Sequence, residues 1–343
     1  MRNIISLTKE DQIGVFDKGE GGAFLRADKR QFQTLNDLWK TSLGLFWTVD
    51  MVDFSKDGQR FKELPEHAKR IFKLNNGYQA LMDSGVVNIY NHLVTLTNNS
   101  DIAKSYSQIA FMESIHADSY STGLIEMFGA EAEEVIDIVY TDATVRKRMD
   151  SEIDKSSVMI QDPTIQNIFV VIAATYLLER VKFPFSFFVT LSLNKGYNNA
   201  INGFSQLISR IASDELEVHV PTNKVILKHM IEYYNLDASV ISDMCATILE
   251  QELEWNKYLL KDGPIPGYNE RIGEEFIRYS ANKALRDLGM DIPVIKPNDF
   301  VKWFNFYRDP NNKQVSQQEA KSTQYQKGTL RNDLERFNDD FIQ

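Results

Sequence analysis

Two segments of the chain each place a glutamate and a histidine about one helical turn apart. Glu113 and His116 are three residues apart, and Glu215 and His219 are four apart. At ~100° per residue these spacings separate the paired side chains by about 60° and 40°, so each pair shares one face of a helix. Two lone acids stand on further helical segments, and they are Asp83 and Glu179. Four carboxylates and two imidazoles on four long helices predict a helical bundle with a di-metal carboxylate site.

The residue types in this cluster suit a hard or borderline transition metal. Iron and manganese accept mixed oxygen and imidazole ligands, and carboxylates can bridge two ions and offset their charge. The residues within about one turn are apolar, and burying an unpaired carboxylate among them would cost several kcal/mol. They are Ile109, Phe111, Ile115, Phe183, Phe187 and Ile211. Taken singly, a glutamate and histidine pair is usually solvated, and a tyrosine such as Tyr120 is usually a core aromatic. Only their conjunction indicates a metal centre.

Further motifs occur in a fixed order around these residues. Leu45-Phe46-Trp47 precedes Val52-Asp53-Phe54-Ser55-Lys56-Asp57, and Leu64-Pro65-Glu66-His67 opens the segment that reaches Asp83. Tyr120 follows Glu113 by seven residues, Phe183 and Phe187 follow Glu179, and Ile211 to Glu215 forms a further segment. Glu319 and Tyr325 lie six residues apart in a polar tail. In this order the chain, from about Leu45 to Tyr325, resembles the small, radical-generating subunit of class I ribonucleotide reductase.

The resemblance implies an all-α, ferritin-like fold and a role for each matched residue. Tyr120 would carry a stable tyrosyl radical, shielded by Phe183, Phe187 and Ile211. Trp47 and Asp214, with His116, would begin the electron-transfer route out of the site, and Tyr325 would pass the oxidising equivalent to the large subunit. The metal ligands would be Asp83, Glu113, His116, Glu179, Glu215 and His219. The implied activity is that of ribonucleoside-diphosphate reductase, whose substrate does not touch this chain.

Two positions depart from the family pattern or disturb a helix. The family usually spaces its second pair as Glu-x-x-His, whereas one extra residue separates Glu215 from His219. A π-bulge would absorb that residue, and such bulges are frequent at functional sites. Glu217 lies two residues before His219, about 200° round the helix, so it is the poorer ligand. Pro184 removes a hydrogen bond to the Arg180 carbonyl, which predicts a kink one turn past Glu179.

Composition excludes several classes of function. The chain has 343 residues, 43% hydrophobic and 25% charged, with a net charge of −10 and no basic patch of nucleic-acid type. Its only cysteine, Cys245, rules out a disulfide within the chain, which suits a reducing cytosol. The early charges at Lys9, Glu10 and Asp11 argue against a signal peptide. No apolar run reaches the ~20 residues that span a bilayer. We therefore expect a cytoplasmic protein.

Helical patterns follow one another along the chain, with no strand signal of any length. We expect an N-terminal extension over 1–26, a helical di-metal domain over 27–313 and a flexible tail over 314–343. Short pieces near Phe16 and Ile292 are candidates for minor extended segments. The predicted helices cover 27–46, 65–96, 100–128, 130–140, 143–160, 163–194, 199–220, 221–234, 238–260 and 270–288.

The polar tail has two interpretations. It is too poor in apolar residues to fold alone, so it is either a frayed terminus or a tether that orders on the large subunit, with Phe341 in a groove. Tyr325 favours the tether. The expected partners are the large reductase subunit and a second copy of the chain, and an activating flavoprotein is left open.

Two other functions compete with the reductase subunit. One is a ferritin-like oxidase or monooxygenase acting alone, and the other is an iron-storage bundle. Neither has a use for Trp47 or for a tyrosine in a flexible tail. The expected cofactor is two metal ions per chain, with iron preferred and manganese or a mixed pair left open.

Overall fold

The chain is described here by a computed structural model that covers residues 14–17 and 25–308, apart from the side chain of Ser151. Thirteen α-helices run through this part of the chain, and they form the predicted all-α bundle. They are α1 (Gln33–Leu45), α2 (Asp57–Lys62), α3 (Glu66–Leu96), α4 (Ser100–Phe128), α5 (Ala132–Thr141), α6 (Ala143–Gln161), α7 (Ile165–Leu177), α8 (Phe183–Gly196), α9 (Asn202–Asp214), α10 (Val220–Tyr234), α11 (Ser239–Leu259), α12 (Glu270–Asp287) and α13 (Asp299–Arg308).

Helices α3 and α4 pack against each other along their length and hold the first half of the site. Pro65 precedes the first residue of α3, where its missing N–H costs no hydrogen bond. The Asn99 side chain accepts a hydrogen bond from the Ile102 N–H and caps α4. The predicted bounds of these two helices are confirmed to within one residue. The residue at which each helix begins is therefore determined by its own local sequence.

Two π-turns interrupt the other helices that carry the site. The first, Leu178–Lys182, joins α7 to α8, and the second, Glu215–His219, joins α9 to α10. Each is followed two residues later by a proline, Pro184 or Pro221. A proline lacks the N–H for the usual bond and crowds the carbonyl four residues back, and a wider turn relieves both effects. The π-bulge predicted between Glu215 and His219 is confirmed, whereas the first interruption begins before Glu179 rather than one turn past it.

Some predicted element bounds are wrong. α1 begins at Gln33 rather than at residue 27, because Asp101 binds the Arg30 guanidinium and the Phe32 N–H and holds this segment outside the helix. The segments near Phe16 and Ile292 are not strands. Within 14–17 and 25–308 the only β-bridge joins Ile265 to Tyr268. The sequence prediction also missed the short helices α2 and α13.

Several predictions fall outside the described residues. The tail over 314–343, with Glu319, Tyr325 and Phe341, lies wholly outside them, and so does most of the extension over 1–26. These boundaries remain predictions. Among the helices that the structure describes, none combines the length and apolar character needed to cross a bilayer.

Candidate metal centre

The structure brings all six predicted metal ligands together in the centre of the bundle. Asp83 comes from α3, and Glu113 and His116 come from α4. Glu179 stands in the first π-turn, and Glu215 and His219 are the first and last residues of the second. All six side chains are buried. Ligand atoms lie within 4.8 Å of one another in two groups that share Glu113, one with Asp83 and His116, the other with Glu179, Glu215 and His219.

Two glutamates stand between the two histidines. The Glu113 oxygens lie 3.3 Å from His116 Nδ1 and 3.1 Å from His219 Nδ1. The Glu215 oxygens lie 3.6 Å and 3.4 Å from the same two nitrogens. The imidazole rings are 5.7 Å apart between centroids. Each carboxylate thus presents one oxygen to each side of the cluster, which is the arrangement of a bridging ligand.

The donor set fits two divalent cations. Seven buried ligand atoms of these residues have no hydrogen-bond partner among the residues that the structure describes. They are Asp83 Oδ2, both oxygens of Glu113 and of Glu215, His116 Nδ1 and His219 Nδ1. Buried polar atoms are normally satisfied, so this concentration needs an explanation. Four carboxylates balance the charge of two divalent ions, which removes the cost of burying them.

The electrostatics of the cluster are strongly coupled. Burial, together with the neighbouring Glu113, raises the pKa of Asp83 well above its usual value, and burial with Glu215 does the same for Glu179. Burial would also raise the pKa of Glu113, but the imidazoles of His116 and His219 outweigh it and bring that pKa to about 2. Without metal ions, the ionised form of these carboxylates therefore depends on the charges of the His116 and His219 imidazoles.

His116 links the cluster to a buried tryptophan. Its Nε2 lies 3.1 Å from Asp214 Oδ2, and Trp47 Nε1 donates to the same oxygen over 2.7 Å. Because a carboxylate can only accept, a neutral imidazole here would carry its proton on Nε2 and its lone pair on Nδ1, which faces the cluster. The indole and imidazole rings are also nearly parallel, 5.9 Å apart. The predicted association of Trp47, Asp214 and His116 is present in the structure.

Tyr120 is buried beside the cluster on the same helix as Glu113 and His116. Burial, and then the charges of Asp83 and the two central glutamates, raises the pKa of its hydroxyl well above the usual value. Gln79 Nε2 donates to the Tyr120 hydroxyl over 2.8 Å. The ring of Tyr120 packs against Phe204, at 6.0 Å between ring centroids, a contact that the sequence did not indicate. Phe183, Phe187 and Ile211 are buried, and their shielding of Tyr120 remains a prediction.

A second set of polar residues surrounds Glu179. Tyr90 donates to Glu179 Oε1 over 2.5 Å, and Asn223 Nδ2 lies 3.1 Å from Oε2 and 2.7 Å from the Tyr90 hydroxyl oxygen. Tyr106 in turn donates to Asn223 Oδ1 over 3.2 Å. The sequence analysis missed all three residues, although Tyr106 lies seven residues before Glu113 on the same helical stripe. Both oxygens of Glu179 are therefore held by hydrogen bonds.

Two neighbouring residues lie away from the cluster. Phe111 was expected among the apolar residues around the site, but it is 50% exposed. It lies two residues before Glu113, about 200° round the helix, so closeness in sequence did not bring it close in space. Glu217 also faces outward, where Arg308 binds its carboxylate over 2.7 Å and its side chain is 46% exposed. The structure thus places His219 rather than Glu217 in the cluster.

Comparison with known proteins identifies the family. The model of the family described as "Ribonucleotide reductase, small chain" matches residues 28–293, more than half of the chain. The chain belongs to the ribonucleotide reductase small-chain family. The curated "Ribonucleoside-diphosphate reductase subunit beta" of Halalkalibacterium halodurans is 28% identical over 336 residues, which are 95% of each protein. The small chain is therefore a subunit of an oxidoreductase, as predicted.

Solved structures agree with this assignment. A protein from Bacillus halodurans described as a class I ribonucleotide reductase has a TM-score of 0.75 at 27% identity, covering 80% of the small chain and 100% of that chain. The dimanganese(II)-NrdF of Streptococcus sanguinis has a TM-score of 0.67 at 20% identity, covering 82% and 98%, and shows a shared fold. With the cluster of carboxylates and imidazoles, these findings are consistent with a di-metal site in the small chain.

Proposed function

We propose that the small chain generates a tyrosyl radical on Tyr120, stores it, and passes it to a large reductase subunit. In this proposal two metal ions per chain are held by the six clustered residues Asp83, Glu113, His116, Glu179, Glu215 and His219. Iron is our first choice, and manganese or a mixed pair fits the same oxygen and nitrogen donors. Glu113 and Glu215 each present one oxygen toward each of the two histidines, which supports a pair of ions rather than one.

Tyr120 is the residue that we propose to be oxidised. Tyr120 would lose one electron and its hydroxyl proton to a site whose metal ions, when bound, supply oxidising power after reaction with dioxygen or a related oxidant. Its burial excludes water and external reductants, as a long-lived radical requires. Storage also requires a fixed ring, and the hydrogen bond from Gln79 and the contact with Phe204 fix it.

The observation that carries the proposal is the hydrogen-bonded contact of Trp47, Asp214 and His116. An iron store or an oxidase that acts alone needs no aromatic exit from its metal centre. Here an oxidisable indole shares a carboxylate oxygen with a cluster imidazole, over 2.7 Å and 3.1 Å. We propose that the oxidising equivalent leaves by this contact and continues through Tyr325 in the tail. The large subunit would then use it to reduce ribonucleotides.

We also propose that the small chain is a homodimer. Phe46 and Phe111 are 41% and 50% exposed, and their rings stack at 6.1 Å, so they form an exposed apolar pair. Exposed apolar surface of this kind suits a second copy of the chain. An activating flavoprotein remains an optional partner, and the radical yield with and without it decides whether it is required.

Electron paramagnetic resonance of the metal-loaded, oxidant-exposed protein tests the central step. We expect a tyrosyl radical signal in the wild type and about two metals per chain. Tyr120→Phe should keep the metals and lose the signal and nucleotide reduction. A signal that persists in Tyr120→Phe would assign the radical elsewhere.

The tail is tested separately from the centre. Deleting the residues after Gln314 should leave the radical intact and abolish turnover. Tyr325→Phe should bind the large subunit normally and still fail to turn over, because it lacks only the redox-active hydroxyl. Phe341→Ala should weaken binding and recover with excess large subunit. Normal turnover by Tyr325→Phe would leave the tail as a tether alone.

A further inference from the structure

The hydrogen bond at Tyr120 has a direction that the surrounding residues set. Asn75 Nδ2 lies 2.8 Å from the Ser186 carbonyl oxygen, an atom that can only accept. The same Asn75 nitrogen lies 3.2 Å from Gln79 Oε1, so the oxygen end of the Gln79 amide accepts from Asn75. The other end of the Gln79 amide is its nitrogen, which points at the Tyr120 hydroxyl. A backbone carbonyl thus determines that Tyr120 receives a hydrogen bond at this contact.

Burial and a second contact hold this chain of amides in place. Gln79 and Asn75 are fully buried, so water does not compete for their amide groups. Asn75 Nδ2 also lies 3.0 Å from Thr190 Oγ1, whose own proton is donated to Asn76 Oδ1. Reversing the Asn75 amide would set its oxygen against the Ser186 carbonyl and the Thr190 oxygen. The Ser186 carbonyl, which can only accept, therefore sets the direction of the Asn75 amide, whose two N–H groups are shared among three oxygens.

We infer that Gln79 is the hydrogen-bond donor to the Tyr120 oxygen, both before the radical forms and while it is stored. This inference rests on the proposed radical at Tyr120 and adds the residue that tunes it. An amide N–H directed at the phenolic oxygen draws spin density off that oxygen and favours the charge that develops there on reduction. It cannot accept a proton, so the hydroxyl proton of Tyr120 must leave in another direction.

The measurement is high-field electron paramagnetic resonance with proton hyperfine spectroscopy on the full chain, loaded with metal and oxidised. We expect an exchangeable proton coupling to the wild-type radical that disappears in D₂O. Labelling glutamine with ¹⁵N should add a nitrogen coupling, which a water donor would not produce. In Gln79→Leu the coupling should be lost, and the largest g value should rise because more spin remains on the oxygen.

Asn36→Leu is the control. Asn36 is a buried asparagine on α1 whose amide oxygen accepts from the Lys104 ammonium, outside the Asn75 and Gln79 contacts. It should leave the g values and the exchangeable coupling unchanged. A wild-type radical with no exchangeable coupling, or a coupling that survives Gln79→Leu, would overturn the assignment of Gln79 while leaving the radical itself established.

The direction of the hydrogen bond at Tyr120 can also be measured in protein that carries no radical. The ultraviolet resonance Raman doublet of tyrosine reports whether the hydroxyl accepts or donates a hydrogen bond. The difference spectrum between the metal-free wild type and Tyr120→Phe isolates Tyr120, and we expect the pattern of an accepting hydroxyl, altered by Gln79→Leu. The pattern of a hydroxyl that only donates would overturn the inference even if the proposed radical never formed.

Discussion

Replacing Tyr90 by phenylalanine should weaken metal binding without unfolding the bundle. The Tyr90 hydroxyl donates to Glu179 over 2.5 Å, and its ring packs 5.3 Å from Tyr106 and 6.3 Å from His219. Phenylalanine keeps both ring contacts and removes only the donor. A hydrogen bond to a charged group is worth about 1.5–3 kcal/mol. The metal-free protein already loses about 0.5–1.5 kcal/mol with this bond, so the loss specific to metal binding is about 1–1.5 kcal/mol. Since about 1.4 kcal/mol is a factor of ten, we expect the Kd for Mn²⁺ to rise about 5- to 10-fold.

Anaerobic titration with Mn²⁺, followed by the resonance of the free ion, measures this Kd directly. Tyr176→Phe is the matched control, since its buried hydroxyl donates to the Ala284 carbonyl over 2.8 Å, away from the cluster. Each variant should lose about 0.5–1.5 kcal/mol of metal-free stability, because each loses one buried hydrogen bond. Only Tyr90→Phe should change the Kd.

The tyrosine variants should also differ in how much they raise the Kd. Tyr106 reaches Glu179 only through Asn223, so Tyr106→Phe should raise the Kd by less than Tyr90→Phe does. An unchanged Kd in Tyr90→Phe, or equal effects of Tyr90→Phe and Tyr176→Phe, would show that the hydroxyl does not orient Glu179.

Three further outcomes follow from the structure. Trp47→Phe should retain the Tyr120 radical and lose turnover with the large subunit, because phenylalanine keeps an aromatic ring but lacks the oxidisable indole and its N–H bond to Asp214. A stopped-flow comparison of radical decay with product formation would measure this loss. Lys182→Met should lower the free energy of unfolding by about 3–5 kcal/mol, since it removes the buried ammonium 2.8 Å from Glu152, and chemical denaturation would measure the loss. Asp57 accepts from the Gly203 and Phe204 N–H groups, yet burial raises its pKa to about 6. A raised pKa contributes stability below about pH 4 that is lost as pH rises through about 6, at most about 3 kcal/mol for a shift of about two units. The free energy of unfolding of Asp57→Asn, relative to that of the wild type, should therefore increase between pH 4 and 7 in urea titrations of the metal-free protein. A difference that stays the same across this pH range would contradict the expectation.

Local spacing predicted those parts of the site that lie on one helix. Glu113, His116 and Tyr120 share a face because of helical periodicity alone, and the capped helices α3 and α4 fall where the pattern indicates. The π-turn at Glu215 was predictable as well, because an extra residue must be absorbed if both side chains are to reach one centre. That the four segments meet was predicted from the combination of four carboxylates and two imidazoles and from the family resemblance, since spacing within one helix carries no information about which helices pack together.

The residues that the sequence did not reveal all act between helices. Gln79 lies four residues before Asp83 and carries no signal of its own in the sequence, because its amide acquires a direction from Ser186, which lies 107 positions further along the chain. Tyr90 and Asn223 meet Glu179 only through the relative register of three segments. A side chain that contacts a ligand residue from another helix leaves no periodic signal. Such residues therefore have to be found from coordinates.

The chemistry of the three polar chains around the centre shows which one can serve as an exit. From Tyr120 the chain runs through the amides of Gln79 and Asn75 to a backbone carbonyl, and an amide neither relays a proton nor is readily oxidised. From Glu179 it runs through Tyr90 to the Asn223 amide, which stops proton transfer in the same way. The third chain, His116 to Asp214 to Trp47, contains no amide: its imidazole and carboxylate can exchange a proton, and its indole can give up an electron. The first two chains therefore hold the centre in place, and the third is the path that we propose for radical transfer.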